Sequence, residues 1–275
     1  MHWEWMRALS NAIGLRSVGE HADAASARPR KRPTAPPFRF GWTTVWPGTY
    51  LNYIPDRYWA FVGKYRGRAG VGSRLQVADF VRGSERNNCG DLARYYTFCL
   101  AFDQIVKEKL DGDLAELGVY KGNTGSLLAA MARQLGRTAY LLDTYQGFAE
   151  KDVTGIDAAQ QVSSFADTSV AAVRARVGEA NVRFIRGYFP ETASQLPENG
   201  AYCLVHLDCD LYAPLHAALR YFYPRLVRGG FLIMHDYASL AWEGAEQAID
   251  QFFADKPEKV VPIPDKSGTA IIRKV

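Results

Sequence analysis

At 275 residues, with 48% hydrophobic and 23% charged residues, the chain has the size and composition of one globular α/β domain plus an N-terminal extension. Its four cysteines, Cys89, Cys99, Cys203 and Cys209, form no C-x-x-C pair, so they read as reduced thiols and not as a disulfide framework or zinc site. No apolar run reaches the length of a membrane span, and at a net charge of +4 no nucleic-acid partner is expected.

The first residues, MHWEWMRALSNAIGLRSV, carry an acid and an early break; they make a poor signal peptide and fit a short amphipathic helix. A cytoplasmic location is the expectation. Arg28, Arg30, Lys31 and Arg32 cluster in ARPRKRP, with Arg66 and Arg68 further on. Two readings stay open for them: a solubilising tail, or a contact with an anionic partner or membrane surface. Residues 17–37 are rich in Ala, Arg, Pro and Ser, so 1–37 reads as a flexible basic arm. Aromatics then become dense, with Trp42, Trp46, Tyr50, Tyr53, Tyr58, Trp59 and Phe61. That density predicts a cap region over 38–85 that packs on the main domain or on a partner chain, and a homo-oligomer is compatible with it.

From residue 86 to 275 the pattern is that of a single domain. Leu92, Tyr95, Tyr96, Cys99, Val106 and Leu110 recur at helical spacing. Short apolar strands are expected at 114–117, 139–143, 182–186, 201–208 and 230–236, separated by helical patterns. This alternation predicts a parallel sheet covered on both faces. The end departs from it: KVVPIP and TAIIRKV flank the turn-rich tetrapeptide Asp265-Lys266-Ser267-Gly268, which predicts an antiparallel hairpin. A nicotinamide-binding domain has no reason to finish this way. The pattern is that of an α/β class I methyltransferase, with a seven-stranded, mostly parallel, Rossmann-like sheet.

ELGVYKGNTG, residues 116–125, forms a strand-to-helix turn in which Gly118 and Gly122 let a ligand approach the backbone. It lacks the G-x-G-x-x-G spacing that admits a pyrophosphate, and it opens with an acid. Such a turn suits a cationic cofactor without a pyrophosphate, and S-adenosylmethionine is one. Asp143, at the end of the second strand, is placed to accept ribose hydroxyls. The expected cofactor contacts are Glu116, Gly118, Tyr120, Gly122, Asp143, Gly187 and Asp208.

Seven motifs in order carry a family resemblance: NNCGDLARY (87–95), ELGVYKG (116–122), LLDTYQGF (141–148), VRFIRGYFPET (182–192), LDCDLY (207–212), YPRLVRGGFLIMHDY (223–237) and AIDQFF (248–253). Over residues 87–275 the chain resembles the macrocin O-methyltransferase (TylF-type) family, metal-dependent enzymes that methylate sugar hydroxyls of natural products. The resemblance implies a glycoside or other small-molecule substrate. It also implies a divalent metal, magnesium or manganese, held at Asp208, His235 and Asp236, with Asp210 at the position of a general base. His235 stands where the family has a carboxylate. It can shift the metal preference away from magnesium, serve as a base itself, or mark a lost site.

Three further expectations follow. His206 is packed and not catalytic. Pro214 fits the first turn of a helix. The long segment from Gly147 to Thr168 is a substrate lid. Two other functions remain open: a catechol-type O-methyltransferase acting on a flat aromatic acceptor, and a non-catalytic module that kept its cofactor turn and lost its metal.

Overall fold

The computed structural model describes residues 91–275, apart from 240 and 266. The basic arm, the aromatic cap region, Cys89 and the expected domain start near residue 86 lie outside the described residues. The first element is helix α1, Leu92–Glu108, which begins where the Asp91 carboxylate accepts the Arg94 amide and ends at Lys109 in a left-handed conformation.

Strand and helix then alternate: β1 (Asp113–Leu117), α2 (Asn123–Leu135), β2 (Ala139–Asp143), α3 (Val170–Val177), β3 (Val182–Arg186), β4 (Tyr202–Leu207), α4 (Tyr212–Phe222), β5 (Leu226–Met234), α5 (Glu243–Phe253), β6 (Val261–Pro262) and β7 (Ala270–Arg273). The seven strands form one sheet in the order β3-β2-β1-β4-β5-β7-β6. Strand β7 is antiparallel to both of its neighbours, while the pairs from β3 to β5 are parallel. The expected sheet and terminal hairpin are both present.

Both faces are covered, which is why the central strands read as continuous apolar runs. On one side α4 and α5 bring Leu215, Leu219, Phe222, Ile249 and Phe253 onto Leu117, Val205, Leu207 and Met234. On the other, α1 and α2 bring Phe98, Phe102, Ile105, Leu127 and Met131 onto Leu114, Leu204 and Ile233. Strand β4 is buried along its whole length, so successive residues divide between the two cores. Beyond the irregularity between Tyr202 and Leu204, Leu204 and His206 face the α1 side, while Val205 and Leu207 face α4 and α5.

Parallel strands in register end together. Leu117 pairs with Leu207, and Leu207 with Met234. The ladder runs one step further, with the Asp208 amide on the Leu117 carbonyl at 2.8 Å and the His235 amide on the Leu207 carbonyl at 2.9 Å. Gly118, Asp208 and His235 therefore leave three adjacent strands side by side. No helix among the described residues is long and apolar enough to cross a membrane.

The hairpin is fastened by Glu258, which is almost fully buried. It accepts from the Tyr223 hydroxyl (2.5 Å), the Lys274 ammonium (3.1 Å) and the Val275 amide (3.0 Å). Burial works against its charge, but these donors outweigh burial and hold the carboxyl down at about 2. A depressed carboxylate adds stability above its unfolded value, and loses it as the pH falls through the folded one. Glu258→Gln is expected to cost about 1.5–3 kcal/mol in urea unfolding at pH 7. The gap from wild type should close as the pH approaches 2; a gap that persists there would assign the effect to packing.

Candidate functional site

A cavity of about 210 Å³ lies beyond the carboxyl ends of β1, β2, β4 and β5. In a doubly wound sheet this is where ligands gather, because the strand order switches there. Six of the seven expected cofactor residues line it: Glu116, Gly118, Tyr120, Asp143, Gly187 and Asp208. Gly122 does not line it. It turns toward α3, where a Cβ would meet Val173 and Val177 at 2.9 Å, so its missing side chain serves helix packing.

The turn after β1 is held by Asp143. One of its oxygens accepts the amides of Val119 and Tyr120, both at 2.7 Å, and the other accepts Tyr145 at 2.6 Å. Burial pushes this carboxyl upward, and the three amides pull it back. Tyr120 sits at φ 47°, a conformation that costs a non-glycine residue about 1–3 kcal/mol, and the Asp143 carboxylate holds it there. The sequence suggested a ribose acceptor; the structure adds a brace for the turn. At Gly118, φ +89°, a Cβ would lie 1.8 Å from the Asp208 carbonyl oxygen, so only glycine fits between β1 and β4.

Glu116, 1% exposed, lies behind this turn. Its Oε1 is 2.9 Å from His206 Nδ1, and its Oε2 has no partner. Burial first, then Asp208, raises its pKa well above the usual range, toward the neutral acid. His206 is fully buried, and burial together with Arg94 holds it well below the usual range. Arg94 only donates, so the His206 Nε2 facing it at 3.3 Å is the acceptor, and the proton of the neutral ring sits on Nδ1, toward Glu116. Packed it is, as expected, but as a polar relay and not as an apolar filler.

Arg94 continues the chain to Asp208, with its guanidinium 2.5 Å from Oδ2. The other Asp208 oxygen is 2.8 Å from His235 Nδ1, which lies equally far from Asp236 Oδ2. Burial alone would raise the Asp208 carboxyl, but His235 and Arg94 outweigh it and hold it far below the usual range. Burial and Arg94 oppose charging of His235, and the carboxylates of Asp208 and Asp236 overcome them. The first carboxylate of D-x-D is thus met by Arg94 on one oxygen and by the His235 ring on the other. Arg94 was missed in the sequence, yet it carried a signal: it shares a buried stripe of α1 with Phe98, Phe102 and Ile105.

Asp210 completes the acidic group. Burial, then Asp236 and Asp208, pushes its carboxyl well above the usual range. Asp210 and Asp236 adopt φ 61° and 60°. Aspartate tolerates this conformation better than most residues, and such outliers gather where a site overrides local preference. Asp208, His235 and Asp236 each offer a ligand atom within 4.8 Å of the others, and His235 Nε2 is buried without a partner. Two carboxylates and an imidazole form a donor set that fits a divalent cation, and one richer in nitrogen than magnesium prefers.

The segment 147–168 covers the cavity with two 3₁₀ turns, Glu150–Asp152 and Gly155–Asp157. Phe148 and Phe165 face Trp242 across the opening, at ring distances of 5.8 and 6.0 Å. Sequence periodicity had not shown this aromatic wall, because its members come from distant segments. Asp152 also lines the cavity and accepts from the Tyr188 hydroxyl at 2.9 Å. Among the described cysteines, Cys99, Cys203 and Cys209 are all free thiols.

The sequence pattern of the macrocin-O-methyltransferase (TylF) family matches residues 90–264, more than half of the chain. A tetracenomycin-C rhamnosyl 4'-O-methyltransferase of Streptomyces olivaceus is 30% identical over 149 residues, 50% of this chain and 57% of the relative. The mycinamicin III 3''-O-methyltransferase of Micromonospora griseorubida is also 30% identical, over 49% of this chain and 59% of the relative. The chain thus spans less than two thirds of the length of each. In fold it is similar to the O-methyltransferase NovP, with a TM-score of 0.59 at 21% identity over 70% of this chain and 88% of that one. It is similar also to a calicheamicin methyltransferase, with a TM-score of 0.58 at 18% identity over 82% and 95%.

The relay makes a direct demand on stability. Removing one partner of a buried ion pair leaves the other charge uncompensated, at a cost of about 3–5 kcal/mol. Arg94→Met should show that loss in denaturant unfolding, and the double replacement Arg94→Met, Asp208→Asn should cost clearly less than the sum of the two single ones. Strict additivity would mean that the pair is not coupled.

Proposed function

Since the chain belongs to the macrocin O-methyltransferase (TylF) family, we propose that it transfers a methyl group from S-adenosylmethionine to a sugar hydroxyl of a glycosylated natural product. Relatives with this activity by name support the reading. The observation that carries it is the convergence of Asp208, Asp210, His235 and Asp236 in the cavity that also holds the glycine turn.

The reaction breaks the sulfonium S–CH₃ bond, forms an O–CH₃ bond and releases the proton of the hydroxyl. The co-substrate supplies the electrophilic methyl group, and the turn at Gly118–Tyr120 with Asp143 and Gly187 would receive it. Asp208, His235 and Asp236 would hold a divalent cation, which supplies Lewis acidity and a fixed position for neighbouring sugar oxygens. Asp210 takes the proton on its carboxylate, and the raised affinity of that group suits the task. Arg94 keeps Asp208 ionised and turned toward His235. The aromatic wall of Phe148, Phe165 and Trp242 keeps bulk water from the reacting hydroxyl and offers apolar surface to the acceptor.

Screening glycosylated acceptors with labelled co-substrate tests the activity directly. Chelation should abolish transfer, and manganese or cobalt should restore it better than magnesium. His235→Asp should return the preference to magnesium. Turnover that survives chelation would refute the cation. Asp210→Asn should lower kcat by about 10²–10⁴-fold, with binding of S-adenosylhomocysteine preserved in calorimetry. Asp143→Ala should weaken that binding, because it releases the three amides that shape the turn. Equal affinity in the Asp143 variant would remove the turn from the co-substrate site.

A further inference from the structure

Helix α4 begins two residues after Asp210, and α5 begins soon after Asp236. Neither helix caps itself: its N-cap residue, Leu211 or Trp242, makes no side-chain capping hydrogen bond. The first amides of a helix need an acceptor, and they favour negative charge. Asp157, on the segment that covers the cavity, supplies one. Its carboxylate is 2% exposed, and Oδ2 accepts the Tyr212 amide at 2.8 Å.

The same carboxylate is pressed against the start of α5. A Cβ on Gly244 would lie 2.2 Å from Asp157 Oδ1 and 2.5 Å from Oδ2, so glycine makes room for it. Two neighbouring contacts hold the segment in the same place: Gln160 donates to the Ala241 carbonyl at 3.0 Å, and Phe148 and Phe165 pack on Trp242. One buried side chain of the covering segment therefore sits at the origin of both helices that follow the acidic loops.

We propose that Asp157 is a latch and a positioning residue, which couples closure of segment 147–168 to the geometry of the loop bearing Asp208 and Asp210. With the segment closed, the carboxylate caps α4 and fixes where that helix starts, and so where the left-handed Asp210 points. When the segment lifts to admit ligands, the cap leaves with it and the loop relaxes. Closure and assembly of the acidic group then become one event. The kinetic consequence rests on the methyl-transfer reading; the coupling itself does not.

Hydrogen exchange on the full chain tests the coupling without any acceptor. Asp157→Ala is expected to speed exchange roughly tenfold, the weight of a lost helix cap, both at the Tyr212 amide and across 147–165, with β1 and β4 unchanged. Gly244→Ala retains Asp157 but fills its seat, and should give the same pattern. Asp157→Asn keeps an acceptor oxygen and should largely restore the wild-type rates. Wild-type exchange in Gly244→Ala, or acceleration at Tyr212 without the covering segment, overturns the latch, and Gly244→Ala decides the matter should Asp157→Ala not fold. In turnover, Asp157→Ala should lower kcat more than it changes KM for S-adenosylmethionine, with rescue by Asn. A wild-type chain that transfers no methyl group would refute the proposed activity while leaving the exchange result to judge the latch.

Discussion

Crowding the half-buried Asp208 and Asp210 against the buried Asp236 is the constraint on which the rest of this domain depends. Three carboxylates at the ends of two adjacent strands cannot share a low-dielectric pocket without cations beside them. Arg94 is one such cation, and it and the His235 imidazole meet different oxygens of Asp208. Helix α1 therefore does more than cover the sheet. It delivers a guanidinium through the core to a strand end, and its Phe98 ring packs edge-on to His206 in the same relay.

The relay joins two halves of the cavity. At one end, Glu116 lies behind the glycine turn, and at the other, His235 and Asp236 lie beside Asp210. Arg94 links the two halves, touching His206 on one side and Asp208 on the other. Networks of this kind specify one arrangement when fully satisfied, and they are costly to disturb. Two of its buried atoms at opposite ends have no partner, Glu116 Oε2 and His235 Nε2.

The covering segment shows how local rules yield to tertiary ones. Helices α4 and α5 begin at Tyr212 and Glu243 without a Ser, Thr, Asp or Asn at the N-cap. Pro214 in the first turn of α4 and Glu243 and Glu246 in that of α5 are local start signals, but neither helix has a local side-chain cap. For α4 the missing acceptor comes from Asp157, 55 positions earlier than Tyr212.

The sequence by itself determined the alternation of strands and helices, the terminal hairpin and the glycine turn, since period, length and turn chemistry are local properties. It also determined which acids end β4 and follow β5, because strand ends are legible from apolar runs. Only the tertiary structure decided what those acids meet. Arg94 and Asp208 are 114 positions apart, and Glu116 and His206 are 90 apart. Such pairs follow from strand register and from the side of the sheet on which α1 packs. The same holds for Gly122, whose place in a glycine turn suggested a ligand and whose neighbours proved to be Val173 and Val177. Periodicity tells which residues are buried; three-dimensional packing alone decides which buried charges find one another, because pairing energy depends on distance in space and not along the chain.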